Sequence, residues 1–496
     1  MLAGVIDWYY SSYGKEWSMK RNIIIIILLI IVSITCGVSY ALSTLKGRDI
    51  EYSSYDKNWD VDTVNDALDS LYQDSCPKNN DCLNNAASPK LYSGLIPVTI
   101  ADDGTVTYAD AAGDWYNYCE KRWANAVILI ESPSKTYAVG DTISEADIQS
   151  YFVWIPKFKY KLWNVNSDGK STGSLDTAHV IDVVFSVANT IDKEGVSCET
   201  PLVSGESGNC DNGEYMTHPA FISMGVNGFW VGKFETGYKG ATSAATARKN
   251  EVNVSNILIK PNMFSWRAIT VMNAFQNSYN YLRDMNSHMM KNTEWGAVAY
   301  LAHSKYGAGK EIRNNNNSSA KTGYAALPTS SQHTYTGTSG DGDTYNSAYN
   351  TEIGYAASTT DNITGIYDMA GGAHEYMASY IDTYFGSSGF SKTTIGNYDT
   401  KYFDIYSTSS NGTRFQYRIL GDATGETGPF NSFKDGDNVA RYHSSWYQEY
   451  AIFVTTTSPW FTRGGYYSYG ILAGAFSFKN FNGGNNSQHS YRIVLA

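Results

Sequence analysis

Gly365-Ile366-Tyr367-Asp368-Met369-Ala370-Gly371-Gly372-Ala373-His374-Glu375-Tyr376 sets two carboxylates and one imidazole among glycines and apolar residues. Two physical readings are open for Asp368 and Glu375. They ligate a cation through oxygen, or they satisfy the hydrogen bonds of tight turns near the core, and the second is the reading we favour. His374-Glu375 is not followed by a second histidine at metalloprotease spacing, and the chain has neither a GxSxG nucleophile elbow nor a phosphate-binding loop.

Working outward, two windows have helical apolar spacing: 268–285, with Val271, Ala274, Tyr279 and Leu282 on one face, and 292–303, with Trp295, Val298, Ala299 and Ala302. Strand signals cover 95–100, 126–130, 151–163 and 228–234, and in the third of these Phe152, Trp154, Pro156, Phe158 and Tyr160 share one parity. Trp154 with Trp163, and Trp230 with Phe234, offer an aromatic sugar platform, although at strand spacing such rings belong more often to the core. Between the helices and the next apolar cluster, 314–362 is rich in Asn, Ser, Thr, Gly and Tyr and reads as a long functional or decorative loop. Its tyrosines between 324 and 355 sit in polar sequence and are expected to flank a binding face.

The 496 residues carry a net charge of -11, with 17% charged and 42% hydrophobic residues, so the chain can bury a large core and is not an acidic disordered tail. Its acidity argues against nucleic acid as a partner. Forty tyrosines and 44 glycines against 11 prolines point to β-rich structure with long loops presenting aromatic rings.

Lys20 and Arg21 precede the apolar run Ile23 to Val32, which continues through small residues to Leu42. This is the pattern of a secretory signal or a membrane anchor, with Ser39 and Ala41 marking a cleavage-like site and Met19 a candidate start. The two positive charges keep the start of the segment inside and place the chain beyond Leu42 outside. The expected organisation is a signal or anchor over 1–42, a polar stalk over 43–90 with a short helix around Val61 to Leu71, and one large domain over 91–496. The expected location is extracellular, at a cell surface. Cys36 lies in the apolar segment, and local spacing pairs Cys76 with Cys82 and Cys198 with Cys210, leaving Cys119 unpaired.

Three ordered blocks carry a likeness to a known family: Glu294-Trp295-Gly296-Ala297 with Ala299, the stretch 365–376, and Arg463-Gly464-Gly465 followed by Tyr491-Arg492-Ile493. Together they resemble the signature blocks of the formylglycine-generating enzyme, or sulfatase-modifying factor, family over roughly 150–496. The resemblance implies an α+β, C-type-lectin-like fold with little regular secondary structure. The family's enzymes use a copper-binding cysteine pair near the carboxy terminus, whereas no cysteine follows Cys210 here, so the soft sulfur ligands are missing. Where the family has Gly-Asn, with the Asn helping to hold a structural calcium ion, this chain has Gly371-Gly372. No catalytic residue, catalytic metal or cofactor is therefore expected, and a structural calcium ion is the one candidate for a bound ion.

The likeness is closer to the family's non-enzymatic, surface-displayed or phage-encoded branch, in which the last fifty residues form a ligand-binding face and some members are rewritten at adenines by diversity-generating retroelements. The composition agrees independently of the family. From 451 to 496 there is no Asp or Glu and ten residues are aromatic, a Tyr, Ser, Gly and Asn mixture that suits a binding surface. Arg463, Gly464, Gly465, Gly470, Gly474, Phe476, Phe478, Gly483 and Arg492 read as framework, the two arginines as buried ion-pair or carbonyl partners. Within the binding region 460–492 the expected contacts are Tyr466, Tyr467, Ser468, Tyr469, Ile471, Leu472, Ser477, Asn480, Phe481, Asn482, Asn485 and Asn486. Changing the two adenines of an Asn codon reaches Tyr, Ser, Ile, Leu and Phe and never a stop, although Lys479 and Gln488 fall outside that set.

The expected function is thus a receptor or adhesin that binds a protein or glycan on a cell, phage or host surface. A metal-dependent oxidase of the family's enzymatic type and a self-associating surface-layer or fibre protein are the competing readings.

Overall fold

The computed structural model describes residues 86–161, 180–185, 216–327, 346–406, 419, 421–424, 447 and 449–496, all within the unit Asn80–Ala496. The expected signal or anchor segment, most of the expected stalk, the cysteines other than Cys119, and Trp163 lie outside the described residues. Among the described residues no helix is long and apolar enough to cross a membrane.

The fold is mixed and dominated by strands, with two sheets at its centre. In chain order their strands are β1 (Ile96–Ile100), β2 (Val106–Tyr108), β3 (Asn125–Leu129), β4 (Thr142–Ile143), β5 (Ile148–Pro156), β6 (Gly228–Gly232), β7 (His288–Met289), β8 (His374–Ile381), β9 (Asp404–Tyr406), β10 (Trp460–Gly464), β11 (Gly474–Phe481), β12 (His489–Tyr491) and β13 (Ile493–Leu495). The first sheet has the order β7-β13-β6-β5-β3-β1-β2-β4 and is antiparallel throughout. The second runs β9-β8-β10-β11, with β12 also beside β8. There β9 and β12 are parallel to β8, and β10 is antiparallel to it.

Burial of β5 on both faces explains why its sequence is apolar at both parities instead of alternating. Trp154 and Trp230 meet across β5 and β6 with ring centroids 5.3 Å apart. Both rings and Phe234 are closed to solvent, so these aromatics are core and not a sugar platform. The indole nitrogens of Trp154 and Trp230 donate to Ala87 O at 2.8 Å and Lys90 O at 2.7 Å, which seats residues 86–90, the end of the expected stalk, against this core.

Both expected helices form. α1 (Val271–Tyr281) starts where the Thr270 hydroxyl accepts from Asn273 N, and ends because Leu282 leaves helical geometry. α2 (Asn292–Ala302) is buried along its whole length and opens with Glu294 Oε2 accepting from Lys291 N at 2.9 Å. It lies against the second sheet, where Trp295 Nε1 donates to Ala475 O at 2.6 Å and Thr293 N to Asp404 Oδ2 at 2.7 Å.

Two expectations are corrected. Cys119 is disulfide-bonded, to a partner outside the described residues, and not unpaired as expected; the pairings of Cys76 with Cys82 and of Cys198 with Cys210 lie outside the described residues. Counting cysteines by local spacing left Cys119 over, and spacing along the chain does not register a partner that folding supplies. The polar stretch from 314 is also structural in its described part, because Asn314, Asn315, Asn316 and Asn317 are all buried. Asn315 donates Nδ2 to Asp368 Oδ1 and to Lys321 O, both at 2.8 Å, and its carbonyl accepts from Gly372 N at 2.7 Å. Tyr349 packs against Phe234 and Tyr367, and the Tyr355 hydroxyl donates to Asp102 O at 2.7 Å in the turn between β1 and β2. These tyrosines serve the first sheet; Tyr335 and Tyr345 lie outside the described residues.

Candidate ligand-binding face

Side chains alternate along β8, so Glu375 points to one side of the second sheet while His374 and Tyr376 point to the other. Register then collects distant residues beside them. His374 pairs with His489 and Tyr376 with Tyr491 across β8 and β12, while Tyr376 pairs with Thr462 and Thr462 with Lys479 through β10 and β11. Phe481, two residues beyond Lys479, stands edge-on to His489 at 4.2 Å.

Two loops border this face. In the first, which follows β10, Tyr467 N donates to Gly372 O at 3.0 Å, and Asn314 Nδ2 and Tyr450 N donate to the carbonyls of Gly470 and Leu472 at 2.5 and 3.0 Å. In the second, between β11 and β12, the anchors are again carbonyls. Asn482 O accepts from Ser387 N at 2.6 Å, Gly483 O from Val271 N at 3.0 Å, Gly484 O from the Tyr376 hydroxyl at 2.6 Å, and Ser487 O from Arg267 Nη1 at 3.0 Å. Both loops are thus held to the rest of the fold largely through backbone groups, which leaves the exposed side chains of Ser468 and Asn485 free of that anchoring.

The expected contacts divide accordingly. Ser468 and Asn485 are exposed, and Tyr467, Tyr469, Leu472, Asn482 and Asn486 are half-buried. Asn482 and Asn486 use their side-chain oxygens on the loop itself, accepting from Gly484 N at 3.0 Å and Gln488 N at 2.8 Å, and present their amide N–H groups. Tyr466 is buried, stacked over His374 with centroids 6.0 Å apart. Ser477 is closed to solvent, Asn480 donates to Phe453 O at 2.9 Å, and half-buried Phe481 packs on His489 and Tyr376. Ile471 lies in the turn Gly470–Leu472.

Sequence reading missed three residues of the face: His374, His489 and Lys479. The i, i+2 spacing of His374 with Tyr376 and of Lys479 with Phe481 was the available signal. Neither ring nitrogen of His374, nor Nδ1 of His489, has a hydrogen-bond partner among the described residues. Burial, with Lys479 nearby, drives the His374 pKa down to about 3. Burial likewise holds His489 well below its ordinary value, helped by His374 and Lys479. Both rings are neutral at physiological pH. The Lys479 ammonium donates to the Tyr469 hydroxyl at 3.2 Å and lies 5.3 Å from the Tyr450 ring centre.

On the opposite side of the sheet the two arginines are framework. Arg463 donates Nη1 to Asp422 O at 3.0 Å and Nη2 to Ala423 O at 3.2 Å. Arg492 binds Glu375 and the carbonyls of Gly232 and Tyr367. The Asp368 carboxylate accepts from Gly323 N and Asn315 Nδ2, both at 2.8 Å, and from Glu235 N at 3.3 Å. Burial pushes Asp368 and Glu375 upward and Arg492 pulls both back. These residues do not fit a calcium ion. Glu375 and Asp368 are committed, and a Cβ on Gly372 would stand 2.4 Å from Glu235 Oε1, so the space where an Asn side chain would begin is filled. Among the described residues no three His, Cys, Asp or Glu side chains gather in a metal-holding group. No model of a known protein family and no curated protein sequence matches the chain.

Proposed function

We propose that this chain is an exported, membrane-tethered receptor or adhesin with a C-type-lectin-like domain. It binds a protein or glycan on a neighbouring cell, phage or host surface, and it performs no covalent chemistry. The observation that carries this reading is the division of labour in the last fifty residues. Tyr467, Ser468, Tyr469, Leu472, Asn482, Asn485 and Asn486 project from two loops whose carbonyls are anchored to neighbouring segments, most of them through buried residues. Such a surface combines rigid aromatic area with adaptable amides, and little entropy is lost when a ligand docks on a loop already held in place. The absence of any cysteine after Cys210 removes the thiolate copper chemistry of the family's enzymes.

Retroelement diversification of the same loops belongs to this proposal and has a direct test. Deep sequencing of the codons for Trp460 to Ala496 across a source population should find substitutions at Tyr467, Ser468, Tyr469, Leu472 and Asn485, with Gly464, Gly483 and Phe478 fixed. Uniform codons would remove diversification and leave an adhesin of fixed specificity. For binding itself, the full-length chain is probed against glycan arrays and intact cells, with Tyr467→Ala and Asn485→Ala alongside. A captured ligand that both variants lose supports the reading, and capture indifferent to both substitutions sinks it.

A further inference from the structure

Three cations lie in the acid-free segment 451–496, and two of them are spent. Arg463 is fully buried on carbonyls, and Arg492 is paired with Glu375. Lys479 is different. It is half-buried on the face between the two loops, its contacts are the Tyr469 hydroxyl and the Tyr469 and Tyr450 rings, and no carboxylate lies within ion-pair distance of it among the described residues. An ammonium half out of water without a counter-ion favours a bound anion.

The residues beside it point the same way. His374 and His489 lie 5.2 Å apart, with three ring nitrogens lacking protein partners, and buried polar atoms in native structures are normally paired. Two histidines also suggest a metal, but a cation there would sit beside the Lys479 ammonium. An anion meets one positive charge and neutral N–H donors, so the charges balance within the site. Tyr469 covers His374 edge-on at 5.0 Å and carries the Lys479 contact, so the lysine, the tyrosine and the imidazoles form one connected group.

We propose that Lys479, the Tyr469 hydroxyl and the imidazoles of His374 and His489 form a carboxylate subsite, and that the face takes an acidic glycan. The inference rests on the ligand-binding reading above and adds the ligand's class. A sugar bearing a carboxylate supplies the anion for Lys479, a C–H face for the rings of Tyr467 and Tyr469, and hydroxyls for the amides of Asn482 and Asn486. A peptide fits less well. It would dock by adding a strand to the free edge of β11, but that edge is taken, since Ile452 N donates to Phe478 O at 3.0 Å and Phe478 N to Tyr450 O at 2.9 Å.

The test measures binding of the full-length chain to polygalacturonate, to polysialic acid, to fully methyl-esterified polygalacturonate and to poly-glutamate. Expected is binding to one or both carboxylate glycans, which identifies a uronate or a sialate source, weakening with added salt and absent for the ester. Lys479→Gln should weaken it roughly tenfold or more, as expected on losing a charge-assisted hydrogen bond, and Lys479→Arg should restore part. Unchanged thermal midpoints show that the variants fold. Equal binding of the ester, indifference to Lys479→Gln, or binding of poly-glutamate alone overturns the subsite. If the carboxylate glycans fail while another surface is captured through Tyr467, only this inference falls. If nothing is captured and Tyr467→Ala has no effect on any array, the ligand-binding reading falls with it.

Discussion

Arg492 grips Glu375 with both arms of its guanidinium, Nε to Oε2 at 2.9 Å and Nη2 to Oε1 at 2.5 Å, and both side chains are fully closed to solvent. Arg492 is the single residue between β12 in the second sheet and β13 in the first. Its Nη1 also holds Gly232 O, on β6 of the first sheet, at 2.7 Å, so one side chain fastens the two sheets together. Removing one member of a buried pair strands the other charge. Glu375→Gln and Arg492→Met should each lower unfolding free energy by about 3–5 kcal/mol. Urea unfolding curves check this, and a loss below about 1 kcal/mol, the range of an exposed pair, would remove the fastening role.

Gly372 is a second framework position with a sharp expectation. Its φ of 68° lies in the left-handed region, and Glu235 Oε1 occupies the place of its missing Cβ. Gly372→Asn should therefore destabilise by about 1–3 kcal/mol even though Asn tolerates that conformation. Combining it with Glu235→Ala should cost less than the sum of the two single changes, because the second makes room for the first. Strict additivity in the denaturation cycle would show that the overlap is relieved some other way.

Acid should unfold this domain through its buried imidazoles. Burial lowers His218 and His374 from 6.5 to about 3, so the folded state keeps both neutral while the unfolded chain takes up protons. Their contribution is complete above about pH 6.5 and is lost as pH falls toward 3. Asp404 acts in the opposite sense. Burial raises it to about 6, so its contribution is present below pH 3.8 and lost as pH rises to about 6. His374→Phe keeps a ring beneath Tyr466 and should flatten the acid limb by about 1.4 kcal/mol per pH unit. An unchanged slope between pH 6 and 4 would mean that His374 is protonated in the fold.

Much of the scaffold was readable in the sequence, because helices and strands are encoded over short distances. The windows 268–285 and 292–303 contain α1 and α2, and the strand signals mark β1, β3, β5 and β6. Arg463 and Arg492 were placed correctly because an arginine among apolar strand residues has few options besides carbonyls and acids. What escaped was assembled by register. His374, Lys479 and His489 come together because β12 lies parallel to β8 and β10 bridges β8 to β11, and no local spacing encodes those pairings. Asn314 to Asn317 were misjudged for a related reason. A run of asparagines looks solvated until the loops that need its hydrogen bonds are in place, and here Asn315 serves both Asp368 and Gly372.

The two bordering loops should separate binding from stability residue by residue. Ser468 and Asn485 are exposed, and hydrogen bonds of their side chains hold nothing in the frame, so substitutions there should move stability by no more than about 0.5 kcal/mol. Gly483 sits in the same stretch with the opposite expectation. Its φ is 84°, and a Cβ would stand 2.6 Å from both Ser388 Cβ and Trp460 Cδ1, so Gly483→Ala should cost several times as much. A saturation library over 460–492, sorted once for folded display and once for ligand capture, reads both properties together. Tyr467, Ser468, Leu472 and Asn485 should tolerate most replacements in the first sort and few in the second, Asn482 and Asn486 should be intermediate in the first because their side-chain oxygens hold Gly484 N and Gln488 N, and Gly483 and Phe478 should fail it. If Ser468 and Asn485 proved as intolerant of replacement as Gly483 in the folding sort, these loops would be part of the scaffold, and the ligand would have to be sought on another face.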